Sequence, residues 1–297
     1  MNLLLGATTV GLIFALLSLG TLLSFRVLRS LDLTTDGTFT TGAAVSCALL
    51  AHGAPPAAAT LAGCLAGALC GVTTGLIHTR WRVDVILAGI LVMTALYSVD
   101  LWVMRGGNLS LAGQATLFEQ ATGAVNGGGA ALSREVVSLI LLALLAGGLA
   151  LALGSFASTD LGLALRATGS SPRMARALAI DTGLATIIGL GLANALIGLS
   201  GALFAQYQGF ANISMGVGII VTGLASVILG EALFPQRTIR QRLVAALLGA
   251  VVFRLLIAAA LWAGLDPNAL RLVTAVFVLV ALTIPAVIRR LRRSIHA

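Results

Sequence analysis

The feature that most constrains this chain is a series of apolar blocks, each about as long as a helix that crosses a membrane. A hydrocarbon core of about 30 Å needs about 20 mostly apolar residues, at about 1.5 Å per residue. Of the 297 residues, 59% are hydrophobic and 9% are charged, whereas soluble domains carry about 25% charged residues. We therefore expect an all-α, polytopic helical bundle embedded in a membrane.

Hydropathy along the chain predicts nine membrane-spanning segments within a single domain, 1–297. The second is the least apolar, because the stretch 31–43 contains two acids and five threonines. A broken helix is therefore an alternative to a full crossing there, and irregular backbone at membrane depth is typical of a segment that lines a path. The nine segments are 2–25, 37–53, 56–79, 84–104, 135–155, 182–206, 213–233, 243–263 and 268–288.

The arginines predict the orientation of these segments. The chain has 18 basic residues, all arginine, and a net charge of +8. If all nine segments cross and the C-terminus lies inside, 14 arginines fall in cytoplasmic loops and three fall outside. Cytoplasmic loops are rich in basic residues, so we expect the N-terminus outside and the C-terminus inside. This topology accounts for the positive charge without a nucleic-acid partner.

Two loops are long enough to have a role of their own. The extracytoplasmic loop, 105–134, contains a helix candidate at 115–122 between glycine-rich flanks. It is either a connector, or a gate or docking surface for a delivered substrate. The cytoplasmic loop, 156–181, contains Ser170, Ser171 and Pro172, which are typical of a helix start. A short amphipathic helix is predicted to follow over 173–179.

Small residues repeat at a spacing of four in the third predicted segment. Such a ladder places one small face on a helix and favours close packing against a neighbouring helix over ligand binding. The residues are Gly63, Gly67, Gly71 and Gly75. The three cysteines lie in apolar segments without the companions of a metal or redox motif, so no metal site is predicted.

Polar side chains in apolar segments are the candidates for a substrate path, because ionisable groups are expensive in a membrane. The candidates are Asp36, Phe39, Thr40, Tyr97, Asn194 and Gln206. Asp36 has an alternative role as a cap of its own helix. Asn194 and Gln206 have an alternative role too, in which their amide side chains form hydrogen bonds to neighbouring helices. Arg254 is the only arginine deep in a predicted segment. Its default role is structural pairing, with Glu231 as a possible partner, and contact with a substrate carboxylate is the alternative.

Four stretches resemble one family in order along nearly the whole chain. The sequence is similar to permeases of the branched-chain amino acid and ribose importer group of the ATP-binding-cassette superfamily, especially a subgroup associated with aromatic and other amino acid uptake. The stretches are LDLTTDGTFTTGA (31–43), GVTTGLIHTRWRVDVILAGILVM (71–93), LRATGSSPRMARALAIDT (165–182), and LSGALFAQYQGF (199–210) with GLASVILGE (223–231).

The resemblance implies a multi-pass permease subunit in the bacterial cytoplasmic membrane, paired with a second permease chain, identical or related. Two cytoplasmic ATPase subunits and an extracytoplasmic solute-binding protein complete the assembly. The stretch 165–182 corresponds to a cytoplasmic coupling segment that docks on the ATPase. The residues given this role are Arg166, Ser170, Ser171, Pro172, Arg173, Met174, Arg176, Ala177 and Asp181.

The resemblance also implies that this chain carries no cofactor and is not itself an enzyme. ATP and Mg²⁺ would be bound by the ATPase, because a sequence without lysine has no GxxxxGK[ST] phosphate loop.

Two alternative functions remain. One is a transporter driven by an ion gradient, for which paired intramembrane acids are expected. The other is a membrane enzyme, which needs a convergent polar cluster.

Overall fold

The computed structural model describes residues 2–127, 132–234, 236, 238–264, 272, 274–276 and 279. This part of the chain is a bundle of helices, as the apolar blocks predict. The helices are α1 Asn2–Leu22, α2 Thr34–Ala51, α3 Pro56–Trp81, α4 Val85–Met104, α5 Leu117–Gly127, α6 Arg134–Phe156, α7 Asp160–Ser170, α8 Pro172–Ala177, α9 Thr182–Gln208, α10 Ile219–Leu233 and α11 Ile239–Trp262. A π-helical turn, Leu23–Val27, extends α1, and two strands, β1 Asn108–Ser110 and β2 Phe210–Asn212, pair antiparallel.

Within the described ranges, six helices are long and apolar enough to cross a membrane: α1 with its π-helical turn, α3, α4, α6, α9 and α11. The predicted segments 37–53 and 213–233 correspond to α2 and α10, which are helical but do not meet that criterion. The predicted segment 268–288 lies almost wholly outside the described residues. Multiple crossing is therefore supported, whereas nine crossings and the orientation of the termini stay predictions.

Helix α9 forms the centre of the bundle and packs against α1, α2 and α3. The glycine ladder of α3 faces it. A Cβ added at Gly67 would lie 2.4 Å from the Asn194 carbonyl oxygen, and one at Gly71 would lie 2.2 Å from that of Leu190. At Gly63 the close neighbour is the Gly42 carbonyl oxygen of α2, and at Gly75 it is the backbone of Ile187. The backbones thus approach too closely for any side chain between them.

The break predicted in the second segment lies before α2 and not within it. The helix is continuous from Thr34 to Ala51, and the irregular backbone lies before it, in residues 28–33. That stretch is deep in the bundle, since Asp32 bonds Asn194, the thirteenth of 27 residues in α9 and therefore about 18 Å along that helix. Thirteen of the 18 residues of α2 are buried, so protein rather than lipid surrounds its polar side chains.

Helix α10 also begins deep in the bundle. Residues 213–218, predicted to be part of a span, form turns, and the helix starts only at Ile219. Ile219 packs with Phe14, the thirteenth of 21 residues in α1, and with Ile197 of α9. Thus α2 and α10 are two partial helices whose N-termini lie near the middle of their longer neighbours.

The predicted loop 105–134 contains two regular elements, β1 and α5. Strand β1 pairs with β2, which follows α9, and α5 covers the adjacent end of the bundle. The side chain of Phe118 on α5 is fully buried and meets the Tyr207 ring edge-on, with centroids 5.6 Å apart. The helix candidate at 115–122 therefore overlaps a helix that runs five residues further, to Gly127.

The packing of α3 on α9 predicts that Gly71→Ala lowers the free energy of unfolding by about 1–3 kcal/mol, the usual cost of overpacking. Gly148→Ala on α6 is the matched control, because no atom lies within 4 Å of a Cβ added there. It should be neutral or stabilising by up to about 1 kcal/mol. Thermal unfolding of both variants in detergent measures the difference, and equal stabilities would contradict the close contact.

Candidate functional site

A cavity of about 400 Å³ lies between α2, α4 and the turn before α10. This volume falls within the range of about 300–1,000 Å³ that is usual for small-molecule sites. Three of the predicted path residues line it: Asp36, Thr40 and Tyr97. The other lining residues are Gly37, Met93, Thr94, Asp100, Ile213 and Val217. Most of the surface that these residues expose to the cavity is apolar, with several polar groups among it, as in binding sites for small organic molecules.

Asp36 caps a helix, but not its own. Its carboxylate accepts hydrogen bonds from the backbone N–H groups of Gly218, at 2.8 Å, and Ile220, at 2.9 Å. These donors belong to the first turn of α10, whose N-terminus carries partial positive charge. The expected capping of α2 is thus corrected to a bond between two partial helices, which joins the N-terminal turn of α2 to that of α10 in the wall of the cavity.

Asp100 is a cavity residue that the sequence analysis did not select. It lies near the C-terminal end of α4 and is only 1% exposed. Its Oδ2 accepts a hydrogen bond from the Thr41 hydroxyl at 3.2 Å, while its Oδ1 is buried and has no hydrogen-bond partner among the described residues. The available signal was an acid inside an apolar segment, but only the fold brings Asp100 to the same cavity as Asp36.

Asn194 lies outside this cavity, in a buried network. Its amide nitrogen donates to Asp32 at 2.6 Å and to the Leu190 carbonyl, and its oxygen accepts from the Thr38 hydroxyl at 2.8 Å. Asp32 also accepts from the Thr34 backbone N–H. The network therefore caps α2 at depth and uses both N–H donors and the carbonyl oxygen of the Asn194 side chain. Asp32, like Asp100, was missed because its neighbours are distant in sequence.

Gln206 and Phe39, two other predicted path residues, are also fully buried outside the cavity lining. The Gln206 amide nitrogen donates to Ser46 and Thr60, and its oxygen accepts from the Leu117 backbone N–H. Gln206 thus joins α2, α3, α5 and α9. The Phe39 ring stacks on that of Phe14, with centroids 6.1 Å apart, and tilts against that of Phe204. Both side chains hold helices together in this conformation.

The sequence offers Glu231 as a possible partner of Arg254, but the structure does not pair these two side chains. Glu231 forms a salt bridge with Arg26, whereas the Arg254 guanidinium lies over the Phe14 ring, 5.3 Å from its centroid. A cation over an aromatic face is stabilised electrostatically. Arg254 lines a second cavity, of about 340 Å³, beside the start of α10, and Val217 borders both cavities.

The predicted coupling segment forms a helix pair, α7 and α8, between α6 and α9. Ser171 accepts a hydrogen bond from the Met174 backbone N–H at 3.4 Å, and Pro172 is the first residue of α8. Asp181 accepts from the N–H groups of Gly183 and Leu184 and so caps α9. These caps fix the two ends of the turn that carries α8.

The surface of α8 is almost entirely exposed. Ala175 is its one buried residue, and the exposed residues are Pro172, Arg173, Met174, Arg176 and Ala177. Of the remaining coupling candidates, Ser170 is exposed at the end of α7, whereas Arg166 is half-buried with its Nε unpaired. Helix α8 is thus a short basic helix with an exposed methionine on the surface of the bundle.

Within the described ranges, no three His, Cys, Asp or Glu side chains lie close enough together to hold a metal ion. The polar groups of the site are instead spread over the two cavities and the network around Asn194.

The network predicts that Asn194→Ala destabilises the bundle by about 1–3 kcal/mol or more, because it leaves buried groups on Asp32 and Thr38 unpaired. Gln208→Ala is the matched control, since in the described part of the chain the Gln208 side chain bonds the nearby Phe210 carbonyl and no other helix. Thermal unfolding in detergent should separate the two variants. A melting temperature for Asn194→Ala equal to that of the control would mean that the network adds no stability.

Comparison with known proteins agrees with this architecture. Residues 3–283 match the family model described as branched-chain amino acid transport system / permease component. A tyrosine transport system permease protein of Clostridioides difficile (strain R20291) is 34% identical over 271 residues, which cover 91% of this chain and 87% of that protein. The uncharacterized protein RP368 of Rickettsia prowazekii (strain Madrid E) is 31% identical over 287 residues, 95% of this chain and 98% of that protein. The chain belongs to the family of permease components of branched-chain amino acid transport systems.

Proposed function

We propose that this chain is the membrane-spanning subunit of an ATP-binding-cassette importer that carries an amino acid or a related compound into a bacterial cytoplasm. The observation that carries the proposal is α8, an exposed basic helix fixed between α6 and α9 in a chain of this permease family. A stiff element of this kind can pass a rigid-body movement from a docked partner to the helices on either side of it.

The proposed docking partner is an ATPase subunit, and α8 supplies both polar and apolar contacts for it. Met174 and Leu178 are 65% and 72% exposed and lie four residues apart, on one face of the turn. Arg173 and Arg176 add positive charge beside them. ATP and Mg²⁺ belong to that partner, and this chain acts as a transport subunit without an ATPase site of its own.

The proposed solute path includes the cavity lined by Asp36, Thr40, Tyr97 and Asp100. Beside the cavity, the Tyr97 and Trp102 side chains on α4 are 55% and 80% exposed. A second permease chain, identical or related, would cover this surface. The path would then lie between two bundles that rock against each other. An extracytoplasmic binding protein delivers the solute on the face that carries β1, β2 and α5.

The orientation follows from the arginine distribution, with the N-terminus outside and the C-terminus inside. With this orientation α7 and α8 lie in the cytoplasm, and the proposed membrane is the bacterial cytoplasmic (inner) membrane. The solute class follows from the family and from the C. difficile relative, which is named for tyrosine transport. An aromatic or other amino acid is therefore the first solute to test.

One observation favours the ion-gradient alternative: Asp36 and Asp100 line the same cavity, and paired acids are typical of gradient-driven carriers. Reconstitution distinguishes the two functions. We expect uptake into proteoliposomes to require ATP, the ATPase and the binding protein together, and to persist when proton and sodium gradients are collapsed. Uptake by this chain alone, driven by either gradient, would exclude the importer.

Charge reversal tests the docking surface. Arg173→Glu with Arg176→Glu should leave membrane insertion intact but reduce co-purification with the ATPase and ATP-driven uptake by at least about tenfold, since like charges across an interface cost several kcal/mol. Arg80→Glu with Arg82→Glu is the matched control, because these arginines lie at the end of α3, on the predicted cytoplasmic face. If both pairs of substitutions behave alike, α8 has no special role in coupling.

A further inference from the structure

We propose that Asp100 is the contact for the ammonium group of the transported solute, so that the cavity between α2 and α4 selects solutes with a primary amine. The proposal rests on the function proposed above and adds the chemical group by which the permease itself recognises its solute. It also gives different tasks to the two carboxylates of the cavity.

The two carboxylates differ in how their charge is balanced. Asp36 accepts two backbone hydrogen bonds at the N-terminus of α10, where the helix dipole stabilises a negative charge. Asp100 has no such partner. In the part of the chain that the structure describes, no arginine or histidine nitrogen lies within 4.0 Å of it. Its charge is therefore left to be balanced by something that enters the cavity.

The hydrogen bonds of Asp100 also leave its carboxylate incompletely paired. Within the described ranges the Thr41 hydroxyl is its one hydrogen-bond partner, at 3.2 Å, and the same hydroxyl also lies 3.0 Å from the Gly37 carbonyl oxygen. A hydroxyl has a single hydrogen, so these two acceptors share one donor. The Oδ1 atom has none, although the residue is 99% buried, being 1% exposed. Buried carboxylate oxygens are costly unless they are paired.

An ammonium group supplies what is missing there. It brings three N–H donors and a positive charge, and its bond to a carboxylate is about twice as strong as a bond between neutral groups. The rest of the cavity suits the remainder of a small solute, because Met93, Tyr97, Ile213 and Val217 form apolar walls. A sugar hydroxyl would offer Asp100 a donor but no charge.

The test uses the reconstituted complex of permease, ATPase and binding protein. ATP-driven uptake is measured for the standard amino acids and for ribose, which has no amine. We expect the wild type to import an amine-bearing solute. We expect Asp100→Asn to lower the maximal rate at least about tenfold, while the KM set by the binding protein and the co-purification with the ATPase stay unchanged.

Asp84→Asn is the matched control, because it removes the same charge from the other end of α4. Asp84 caps that helix by accepting from the Ile86 backbone N–H at 2.9 Å, and asparagine is an equally good cap. Its uptake should equal that of the wild type. Asp100→Glu keeps the carboxylate and should recover part of the rate lost in Asp100→Asn.

Several results would overturn the proposal. Asp100→Asn could import at the wild-type rate, or the wild type could import ribose and no amine-bearing solute. If Asp100→Asn and Asp100→Glu both failed to assemble with the ATPase, Asp100 would be a structural residue and not a solute contact. A wild-type complex that imports none of these solutes with ATP would instead overturn the proposed function itself.

Discussion

The structure depends on satisfying backbone groups where helices begin inside the bundle. A helix start leaves four N–H groups without partners, and lipid offers none. Asp36 bonds two of these groups at the start of α10, and Asp32 bonds one at the start of α2. Because both carboxylates are held by protein, the irregular stretches 28–33 and 213–218 can lie at the depth of the long helices.

Because these two partial helices begin inside the bundle, polar side chains and cavities lie in its interior. Their N-termini lie close together near the middle of α1 and α9, and Asp36 links them in the wall of the cavity between α2 and α4. The turn before α10 separates this cavity from the one beside Arg254, since Val217 lines both. A movement of α10 would therefore change both cavities at once.

The sequence predicted much of this arrangement because hydropathy and local capping are encoded by neighbouring residues. The long apolar blocks, the serine and proline start of α8 and the small face of α3 could all be found in this way. The roles of Asp36, Asp100 and Arg254 could not, because their contacts lie on other helices. Asp36, for example, meets Gly218, 182 positions along the chain.

By itself the sequence determined that the chain is a bundle of membrane-spanning helices, since 59% hydrophobic residues in long blocks cannot be covered by the few polar ones in water. Its motifs also indicated the permease family. Only the tertiary structure decided which buried polar groups are satisfied and which are not. Asn194 and Gln206 bond neighbouring helices, while Asp100 keeps an unpaired oxygen at a cavity, because partners distant in the chain meet only when the helices pack.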